Sequence, residues 1–431
     1  MGAILIPAET FRRRRERLAR RIGDGALILS AAPVKTASRD LQHPYVPDKY
    51  LYYLTGFAES DGALLMTIQR GKIVRELLLC RPRNPKQEQW EGERLGSLRA
   101  RRRLQIAESG DIADFQLRLR ETLSNCEVVY YLLGANASLD SQLCTIAATR
   151  RLQNRGSVGA LRGLFDVSIY LDDMRAVKDA DETALIRRAA KISSDGHRAA
   201  MKAAVKANNE CRIEAPLVAV FRAADSTHAF PPIIAAGKNA LTLHYTQNNG
   251  RVHARDMVLV DAGAEYGYYA GDVSRTFPAG GKFSPAQAAV YDIVLSAQKR
   301  ALSAVRAGVK WNNIETIAVR AICRGLAALN ICRGSAKTIE SKKHYRRFYM
   351  HRIGHLIGLD VHDVGRVDTL RTGMTLTIEP GLYIPADSDI PPEYHNIGVR
   401  IEDTVLVRAG GCEVLSDAPK TRAEVEAWMR G

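Results

Sequence analysis

The sequence lacks long hydrophobic runs. None of its 431 residues lies in a stretch that approaches the roughly 20 apolar residues of a membrane-spanning helix. The apolar run at residues 3–6 is too short for the hydrophobic region of a signal peptide, and a basic cluster follows it instead of preceding it. We therefore expect a soluble protein without a targeting signal or membrane partner, located in the cytoplasm.

Cysteine is sparse and scattered. The seven cysteines are odd in number and never occur in C-x-x-C spacing. This pattern argues against a disulfide framework and against a cysteine-based zinc site. It is typical of a protein from a reducing compartment.

Acidic residues are outnumbered, with 47 Asp and Glu against 62 Lys and Arg, so that the formal net charge is +15. The positive charge is concentrated in basic clusters at residues 12–21, 99–103 and 342–347. Such clusters can bind nucleic acid, but these lack the interleaved aromatic residues that stack on bases. We interpret them as solvated, arginine-rich helix faces and do not expect a nucleic-acid partner.

The chain length and the 46% hydrophobic content favour two domains. We place the boundary near residues 172–182, which gives domains at 1–172 and 173–431. In the first, a basic helix over residues 7–22 and several apolar runs predict an α/β domain. The strand-like runs are 26–32, 62–69, 74–80 and 127–134.

The second domain is predicted to be a larger α/β or α+β domain. An alanine-rich periodic segment over 181–205 predicts a long helix, with Asp181 and Glu182 at its start. A second helix is predicted over 284–306.

Carboxylates stand on strand-like segments of this second domain. A buried strand at 257–260 ends on Asp261, a glycine-rich turn follows, and Asp272 opens a second strand. The segment predicts a hairpin with one carboxylate on each arm. Turn chemistry alone explains Asp261 well, but it explains Asp272 less well.

Two later segments, 374–384 and 398–407, alternate with the period of a β-strand. The alternation places Glu379 on the face of Thr375 and Thr377, and it places Glu402 on the face of Arg400. One such glutamate on a wet sheet face would carry no meaning. Four carboxylates on strand-like segments, with a histidine-rich segment between them in the sequence, indicate a common site.

The histidine-rich segment is HRIGHLIGLDVHD, residues 351–363. His351 and His355 are spaced like the ligands of an H-E-x-x-H zinc helix. However, Arg352 occupies the position of the glutamate, and Gly354 and Gly358 both weaken a helix. We therefore do not favour a zinc helix here.

The electrostatics of such a site require cations. Carboxylates repel one another unless something neutralises them, and four contribute about −4, which two divalent ions would balance. Oxygen-rich ligation with a minority of nitrogen suits Mn²⁺, although Co²⁺ or Zn²⁺ could also bind. Two ions about 3.5–4 Å apart can share a water molecule and make it a nucleophile near neutral pH.

These residues resemble the pita-bread metallopeptidases, family M24. The segments LHYTQN, DAGAEYGYYAGDVSRTFP, GHLIGLDVHDVG, EPGLYI and IGVRIED are similar to those of bacterial Xaa-Pro aminopeptidases (aminopeptidase P), and YYLTGF at 52–57 also matches. The resemblance covers nearly the whole chain, most densely from about 235 to 407. It implies a creatinase-like N-terminal α/β domain, which governs substrate access and oligomerisation, and a pita-bread catalytic domain with a dinuclear metal site.

The resemblance also implies roles for the five ligand positions. Asp261 would chelate one metal ion, whereas Asp272 and Glu402 would bridge both. His355 and Glu379 would complete the second ion. Glu379 would also be the general base and proton shuttle for a water or hydroxide that bridges the metals.

Other roles follow from the same resemblance. Three histidines would contact the substrate and stabilise the tetrahedral intermediate, namely His244, His351 and His362. Arg400 and Tyr383 match residues around the site, and Arg400 could hydrogen-bond a ligand carboxylate. Trp90 resembles a tryptophan that family members present to the active site of a neighbouring subunit in a homodimer or homotetramer, although an ordinary buried tryptophan explains it equally well.

The implied substrate is a peptide with proline at its second position. The Xaa-Pro bond is a tertiary amide without an N–H, so a dedicated site would pack apolar groups on the ring. Two alternatives remain open: a prolidase that cleaves Xaa-Pro dipeptides with the same metal ligands, and a non-catalytic binding protein on the same fold. Arg352 departs from the glycine that is common in relatives, and a long cation at the pocket mouth could alter substrate preference.

Overall fold

The computed structural model describes residues 5–153 and 159–430, without the side chain of Gln153. The chain divides into two compact units, Met1–Met174 and Arg175–Gly431. Residues 1–4, on which the expectation of no targeting signal partly rests, lie outside the described residues. In the part that is described, no helix is both long and apolar enough to cross a membrane.

The N-terminal unit is built on a mixed sheet with strand order β6-β5-β4-β1-β7-β8. The strands are β1 (Gly25–Ser30), β2 (Thr36–Ser38), β3 (Leu41–Gln42), β4 (Ala63–Gln69), β5 (Lys72–Cys80), β6 (Glu108–Asp111), β7 (Val128–Tyr131) and β8 (Gly163–Asp166). The helices are α1 (Ala8–Ile22), α2 (Lys49–Thr55), α3 (Pro85–Glu91), α4 (Gly96–Leu104), α5 (Phe115–Leu123), α6 (Ala137–Gln153) and α7 (Ser168–Ala176). Each predicted strand therefore exists, with its ends shifted by no more than three residues.

The prediction that the basic clusters are solvated helix faces is wrong for α1. Arg14 and Arg15 are buried at 4% and 0% exposure. The Arg15 guanidinium forms an ion pair with Glu76 and donates to the carbonyl of Leu54 at 2.8 Å. That of Arg14 lies 4.3 Å from the ring centroid of Tyr53. These arginines hold the helix on the sheet because their long side chains satisfy polar groups that would otherwise be buried alone.

The second unit carries the long helices and several small sheets. The helices are α8 (Ala180–Ala204), α9 (Cys211–Ala223), α10 (Pro285–Ala304), α11 (Trp311–Ala328), α12 (Ala336–Ser341) and α13 (Arg422–Arg430). The strands are β9 (Thr227–His228), β10 (Ile233–Ala236), β11 (Met257–Asp261), β12 (Ala264–Tyr266), β13 (Tyr269–Ala270), β14 (Ser274–Pro278), β15 (Thr375–Ile378), β16 (Gly381–Ile384), β17 (Ile397–Arg400), β18 (Asp403–Val407) and β19 (Cys412–Val414). One large apolar core joins these helices and sheets.

Both predicted long helices of this unit begin at a capping box. The N–H of Glu182 donates to the Asp179 carboxylate at 2.9 Å, and the N–H of Asp179 donates back to Glu182 at 3.0 Å. Ser284 and Gln287 form the same reciprocal pair at the start of α10. These side chains satisfy backbone donors that the first helical turn leaves unpaired, which defines where each helix begins.

The predicted hairpin after residue 257 is present. Strand β11 pairs antiparallel with β14, and Asp261 lies opposite Ser274. A smaller hairpin, β12–β13, is inserted between these strands. Asp272 lies two residues before β14 rather than at its first position, so both carboxylates stand at the same end of the strand pair.

The prediction of one continuous alternating strand over 398–407 is wrong. The chain breaks between β17 and β18, which pair with β16 and β15 respectively. The partner segment breaks between β15 and β16, so the two breaks face each other and Glu379 and Glu402 occupy them. The N–H of Ile401 donates to the Pro380 carbonyl at 3.3 Å across the breaks. The glutamates leave the regular ladder at this level, which lets both side chains turn toward the β11–β14 pair.

Candidate metal centre

Three of the predicted ligands form a compact cluster. One ligand atom from each of Asp272, His355 and Glu402 lies within 4.8 Å of the other two. His355 Nε2 is 3.6 Å from Asp272 Oδ2 and 3.5 Å from Glu379 Oε1. The N–H of Glu402 donates to the Ser274 carbonyl at 3.0 Å, which ties the break before β18 to β14. Strand pairing therefore brings together side chains that are up to 130 residues apart in the sequence.

The hydrogen bonding of His355 defines the tautomer of its ring. His355 Nδ1 lies 2.9 Å from the carbonyl oxygen of Leu356. Because a carbonyl only accepts, Nδ1 must carry the proton, and Nε2 keeps its lone pair toward the carboxylates. A backbone carbonyl behind the ring is the usual arrangement for a metal-binding histidine.

The carboxylates of the cluster are buried and incompletely paired. Asp272 and Glu402 are 4% and 2% exposed. Among the described residues, Oδ1 of both Asp261 and Asp272 is buried without a hydrogen-bond partner. Such orphan oxygens are costly unless a cation or a donor faces them.

The pKa values of these carboxylates also show that their charged forms are destabilised. Burial, with Asp261 and Glu379 close by, raises the pKa of Asp272 well above its usual range. Burial and the neighbouring Asp272 and Glu379 raise the pKa of Glu402 in the same way. A divalent cation would remove the repulsion and occupy the orphan oxygens, so the donor set fits metal ions.

A pocket of about 770 Å³ opens onto the cluster. Every predicted site residue except Tyr383 and Trp90 lines it. Apolar residues also line the pocket, among them Phe230, Pro231, Ile233 and Leu243. The site therefore offers oxygen ligands, imidazoles and an apolar surface within one cavity.

A chain of hydrogen bonds links residues of one wall of this pocket. Arg400 donates to the Asp261 carboxylate at 2.6 Å and to the Tyr383 hydroxyl at 2.7 Å. The Tyr383 hydroxyl lies 2.9 Å from His351 Nε2, and His351 Nδ1 lies 2.8 Å from the carbonyl of Arg352. The carbonyl can only accept, so His351 carries its proton on Nδ1 and accepts from Tyr383.

The pKa values agree with this assignment. Burial, assisted by the nearby Arg400, lowers the pKa of His351 to about 4. Burial raises the pKa of the Tyr383 hydroxyl to about 12. At neutral pH the imidazole is therefore uncharged, and both of its nitrogens are engaged by the protein. Tyr383 is 2% exposed and lies behind the wall that His351 and Arg400 form.

The other two histidines face the pocket from exposed positions. The His362 ring packs edge-to-face on His355 with ring centroids 4.3 Å apart. Burial and the adjacent His355 lower the pKa of His362. Among the described residues, neither His244 nor His362 has a side-chain hydrogen-bond partner, so both rings are available to a bound molecule.

An ion-pair network that the sequence analysis missed anchors the loop around His362. The Arg175 guanidinium lies 2.6 Å from both Asp360 and Asp363. Lys178 Nζ lies 2.8 Å from the other carboxylate oxygen of Asp363, and the side chains of Lys178 and Asp363 are almost fully buried. Burial alone would raise the pKa of Asp363, but Lys178 and Arg175 lower it. Nothing in the local pattern around Arg175 distinguishes it from an ordinary boundary residue.

Trp90 lies in the N-terminal unit on α3. Its side chain is 90% exposed, so the alternative of an ordinary buried tryptophan is wrong. The histidine-rich segment also contradicts the zinc-helix alternative, because its backbone from 351 to 363 is irregular.

Comparison with known proteins agrees with this geometry. Residues 184–409 match the metallopeptidase family M24, and residues 11–130 match the aminopeptidase P N-terminal domain. The chain is 36% identical to a Xaa-Pro aminopeptidase of Haemophilus influenzae and 34% identical to one of Escherichia coli, with 98% of each chain covered in both cases.

Solved structures show the same likeness. The aminopeptidase PepP of Pseudomonas aeruginosa superposes with a TM-score of 0.95 at 36% identity, covering 99% of both chains. Aminopeptidase P of E. coli with the inhibitor Pro-Leu gives a TM-score of 0.94 at 33% identity, covering 99% of this chain and 98% of the other. The chain belongs to metallopeptidase family M24 and, within it, to the Xaa-Pro aminopeptidases.

Two predictions are thereby confirmed. The enzyme is a metallo-exopeptidase, hence a hydrolase. Its fold is an α/β domain of the aminopeptidase P type followed by a pita-bread catalytic domain.

Proposed function

We propose that this enzyme hydrolyses the N-terminal Xaa-Pro bond of peptides at a centre of two divalent metal ions, with Mn²⁺ as the first candidate. The observation that best supports this proposal is the convergence of buried carboxylates and the His355 imidazole on one pocket. The ligand residues would be Asp261, Asp272, His355, Glu379 and Glu402. Bound ions would supply a hydroxide nucleophile at neutral pH and polarise the substrate carbonyl.

Glu379 is the residue that we propose as general base. It stands at a strand break beside His355, and its Oε1 accepts a hydrogen bond from Thr377 at 3.2 Å, which orients the carboxylate. Burial raises the pKa of Glu379 above its usual value, so it can take a proton from water and return it to the leaving proline nitrogen.

The remaining polar residues divide into two groups in this proposal. His244 and His362 project into the pocket with free ring nitrogens, so they would hold the substrate and the oxyanion that develops on its carbonyl. Arg400, Tyr383 and His351 form a continuous hydrogen-bond chain, so they would position Asp261 and one wall of the pocket. Tyr383 would act through its neighbours, because it lies behind the wall.

The apolar residues that line the pocket would select for proline at the second position of the substrate. The Xaa-Pro amide has no N–H that could donate a hydrogen bond. A site that binds through apolar packing on the proline ring would therefore favour the Xaa-Pro bond over other peptide bonds. Phe230, Pro231 and Leu243 provide such a surface beside the carboxylates.

The N-terminal unit, residues 1–172 in the predicted division, would govern substrate access and assembly. A tryptophan as exposed as Trp90 favours an intermolecular contact, because aromatic anchors are enriched at interfaces. We propose that it meets a neighbouring subunit's active site in a homodimer or homotetramer. The cytoplasm is the proposed location, because the cysteine pattern is typical of a reducing compartment.

One experiment tests this function. Metal content would be measured together with cleavage of Ala-Pro-Ala and of the dipeptide Ala-Pro. We expect about two divalent ions per chain and faster release of alanine from the tripeptide. Preferential cleavage of the dipeptide would favour a prolidase. Metal binding without turnover of any Xaa-Pro peptide would favour a non-catalytic binding protein.

A further inference from the structure

A second pocket adjoins the active-site pocket within the catalytic unit. It has a volume of about 690 Å³ and lies between α11 and the segment 340–352. His351 and Arg352 line both pockets. The two pockets therefore adjoin each other at His351 and Arg352, and we call the second one the outer groove.

The charges of the active-site wall single out Arg352. Two arginines line the active-site pocket, Arg352 and Arg400. Arg400 is paired with Asp261. The pocket carboxylate Asp360 is likewise paired, with Arg175. The Arg352 side chain is exposed and has no hydrogen bond or ion pair with any described residue. It is thus the cation of this wall that lacks a counter-charge in the described structure.

The outer groove continues this positive surface. Lys343 and Arg346 line it, are exposed, and form no ion pair within the described part of the chain. Two carboxylates also line the groove, but Glu340 is paired with Arg320 at 3.0 Å, which leaves Glu315. Positive charge is therefore in excess. The cations belong to the basic cluster at 342–347, for which cleavage of the Xaa-Pro bond provides no role.

An orphan hydroxyl provides a second, independent observation. Tyr349 is 1% exposed and lines the outer groove. Its hydroxyl is buried and has no hydrogen-bond partner among the described residues. Buried tyrosine hydroxyls normally find a partner, and the described residues around Tyr349 provide none.

We propose that the outer groove binds the part of the peptide that follows proline and favours a carboxylate there. That carboxylate could belong to an acidic residue at the third or fourth position or to the C-terminus of a short peptide. Arg352, Lys343 and Arg346 supply the attraction, and Tyr349 supplies a hydrogen bond. The inference rests on the proposed function, because it assumes that the scissile bond lies at the carboxylate cluster.

Three peptides test the groove: Ala-Pro-Ala-Glu amide, Ala-Pro-Ala-Gln amide, and Ala-Pro-Ala-Gln with a free C-terminus. For the wild-type enzyme, kcat/KM should be about five-fold higher for the glutamate amide than for the glutamine amide, since exposed charge pairs contribute modestly. The ratio should fall toward one in high salt. The free-acid peptide shows whether a terminal carboxylate is favoured in the same way.

A double variant, Lys343→Gln with Arg346→Gln, should bring the glutamate-to-glutamine ratio close to one. The matched control is Lys206→Gln with Lys299→Gln, which removes two exposed, unpaired cations of the same unit that line neither pocket. The control should keep the wild-type ratio.

Two results would contradict the proposed role of the outer groove. One is a wild-type kcat/KM ratio near one for both carboxylate sources, and the other is an equal loss of this ratio in the control variant. Either leaves Xaa-Pro cleavage intact as the function. Failure of the wild-type enzyme to cleave any of the three peptides would instead contradict the proposed function.

Discussion

The Arg400 guanidinium lies 2.6 Å from the Asp261 carboxylate, so the last residue of β17 contacts the last residue of β11. Both side chains are largely buried, at 5% and 14% exposure. The arginine thus satisfies one oxygen of Asp261, while the other oxygen has no hydrogen-bond partner in the part of the chain that the structure describes. In the proposed metal centre, this division would leave Oδ1 for a metal ion while the contact with Arg400 orients the carboxylate through Oδ2.

The Arg400–Tyr383 contact should matter for turnover more than for metal binding. In Tyr383→Phe, Arg400 loses an acceptor and His351 loses its hydrogen-bond donor, so both side chains gain freedom. We expect kcat to fall about tenfold, as for other groups that orient metal ligands, while metal content stays unchanged.

The pH profile of this variant separates positioning from a merely structural loss. A donor to His351 Nε2 favours the neutral ring, so its removal should raise the pKa of His351 from about 4. The acidic limb of kcat/KM should then move to higher pH. An unchanged limb with lost activity would contradict the positioning role.

Metal removal should destabilise the protein in a pH-dependent way. Asp272 and Glu402 have folded-state pKa values above their unfolded values, so their contribution to stability is present at low pH and is lost as pH rises through the folded values. The metal-free enzyme should therefore lose stability from mildly acidic to neutral pH.

Bound metal should reverse this trend, since ligands must be deprotonated to bind it. A fixed Mn²⁺ concentration, set to 100 times the dissociation constant at neutral pH, should raise the free energy of unfolding by about 2.7 kcal/mol at that pH and by less in acid. Thermal unfolding of metal-free and metal-loaded protein across pH measures both effects. A stabilisation by metal that did not grow with pH would argue against carboxylate ligation.

Substitution of the proposed base should abolish chemistry. Glu379→Gln keeps the size of the side chain but cannot accept a proton, so kcat should fall by about 10²–10⁴-fold. The control is Glu413→Gln, a partly exposed glutamate on β19 that is paired with Arg187 and Arg408. Robust turnover by the Glu379 variant would rule out its role as the base.

A buried ion pair next to the centre should dominate the stability of this region. Asp403 is fully buried and is paired with Arg275 at 2.7 Å, while Ser416 and Gln298 donate to the same carboxylate. Asp403→Asn would leave the Arg275 charge uncompensated, so the free energy of unfolding should fall by about 3 kcal/mol.

The matched control for this pair is Asp417→Asn. Asp417 is paired with Arg198 at 3.0 Å, but its side chain is 54% exposed. Exposed pairs contribute less than about 1 kcal/mol. Urea denaturation of both variants measures the difference, and equal losses would contradict the importance of burial.

The sequence predicted the positions of helices and strands better than the points at which a strand breaks. Periodicity located α8, α10 and the strands of the first sheet because helix and strand patterns repeat over many residues. It failed at 398–407, where β17 and β18 pair with different strands and the alternation continues across the break. Alternation reports on residue faces and carries no information about which neighbour a strand pairs with.

Burial was the second property that the local pattern did not decide. The run of arginines on α1 has the composition of a solvated face, yet Arg14 and Arg15 are inside because α1 packs on the sheet. The partners of Arg15 come from β5, α2 and the end of α4. A long side chain is exposed or buried according to what packs against it, which the local sequence does not contain.

By itself the sequence determined the chemical inventory: which residue types could bind metal, their order along the chain, and the absence of a glutamate beside His351. These properties are local and survive in any conformation. Only the tertiary structure decided which of these residues come together in one site. Pairing of β11 with β14, and the facing breaks at Glu379 and Glu402, bring distant carboxylates around His355, and burial there turns ordinary acids into a site that requires cations. Strand pairing and burial depend on the whole chain, and so does the function they create.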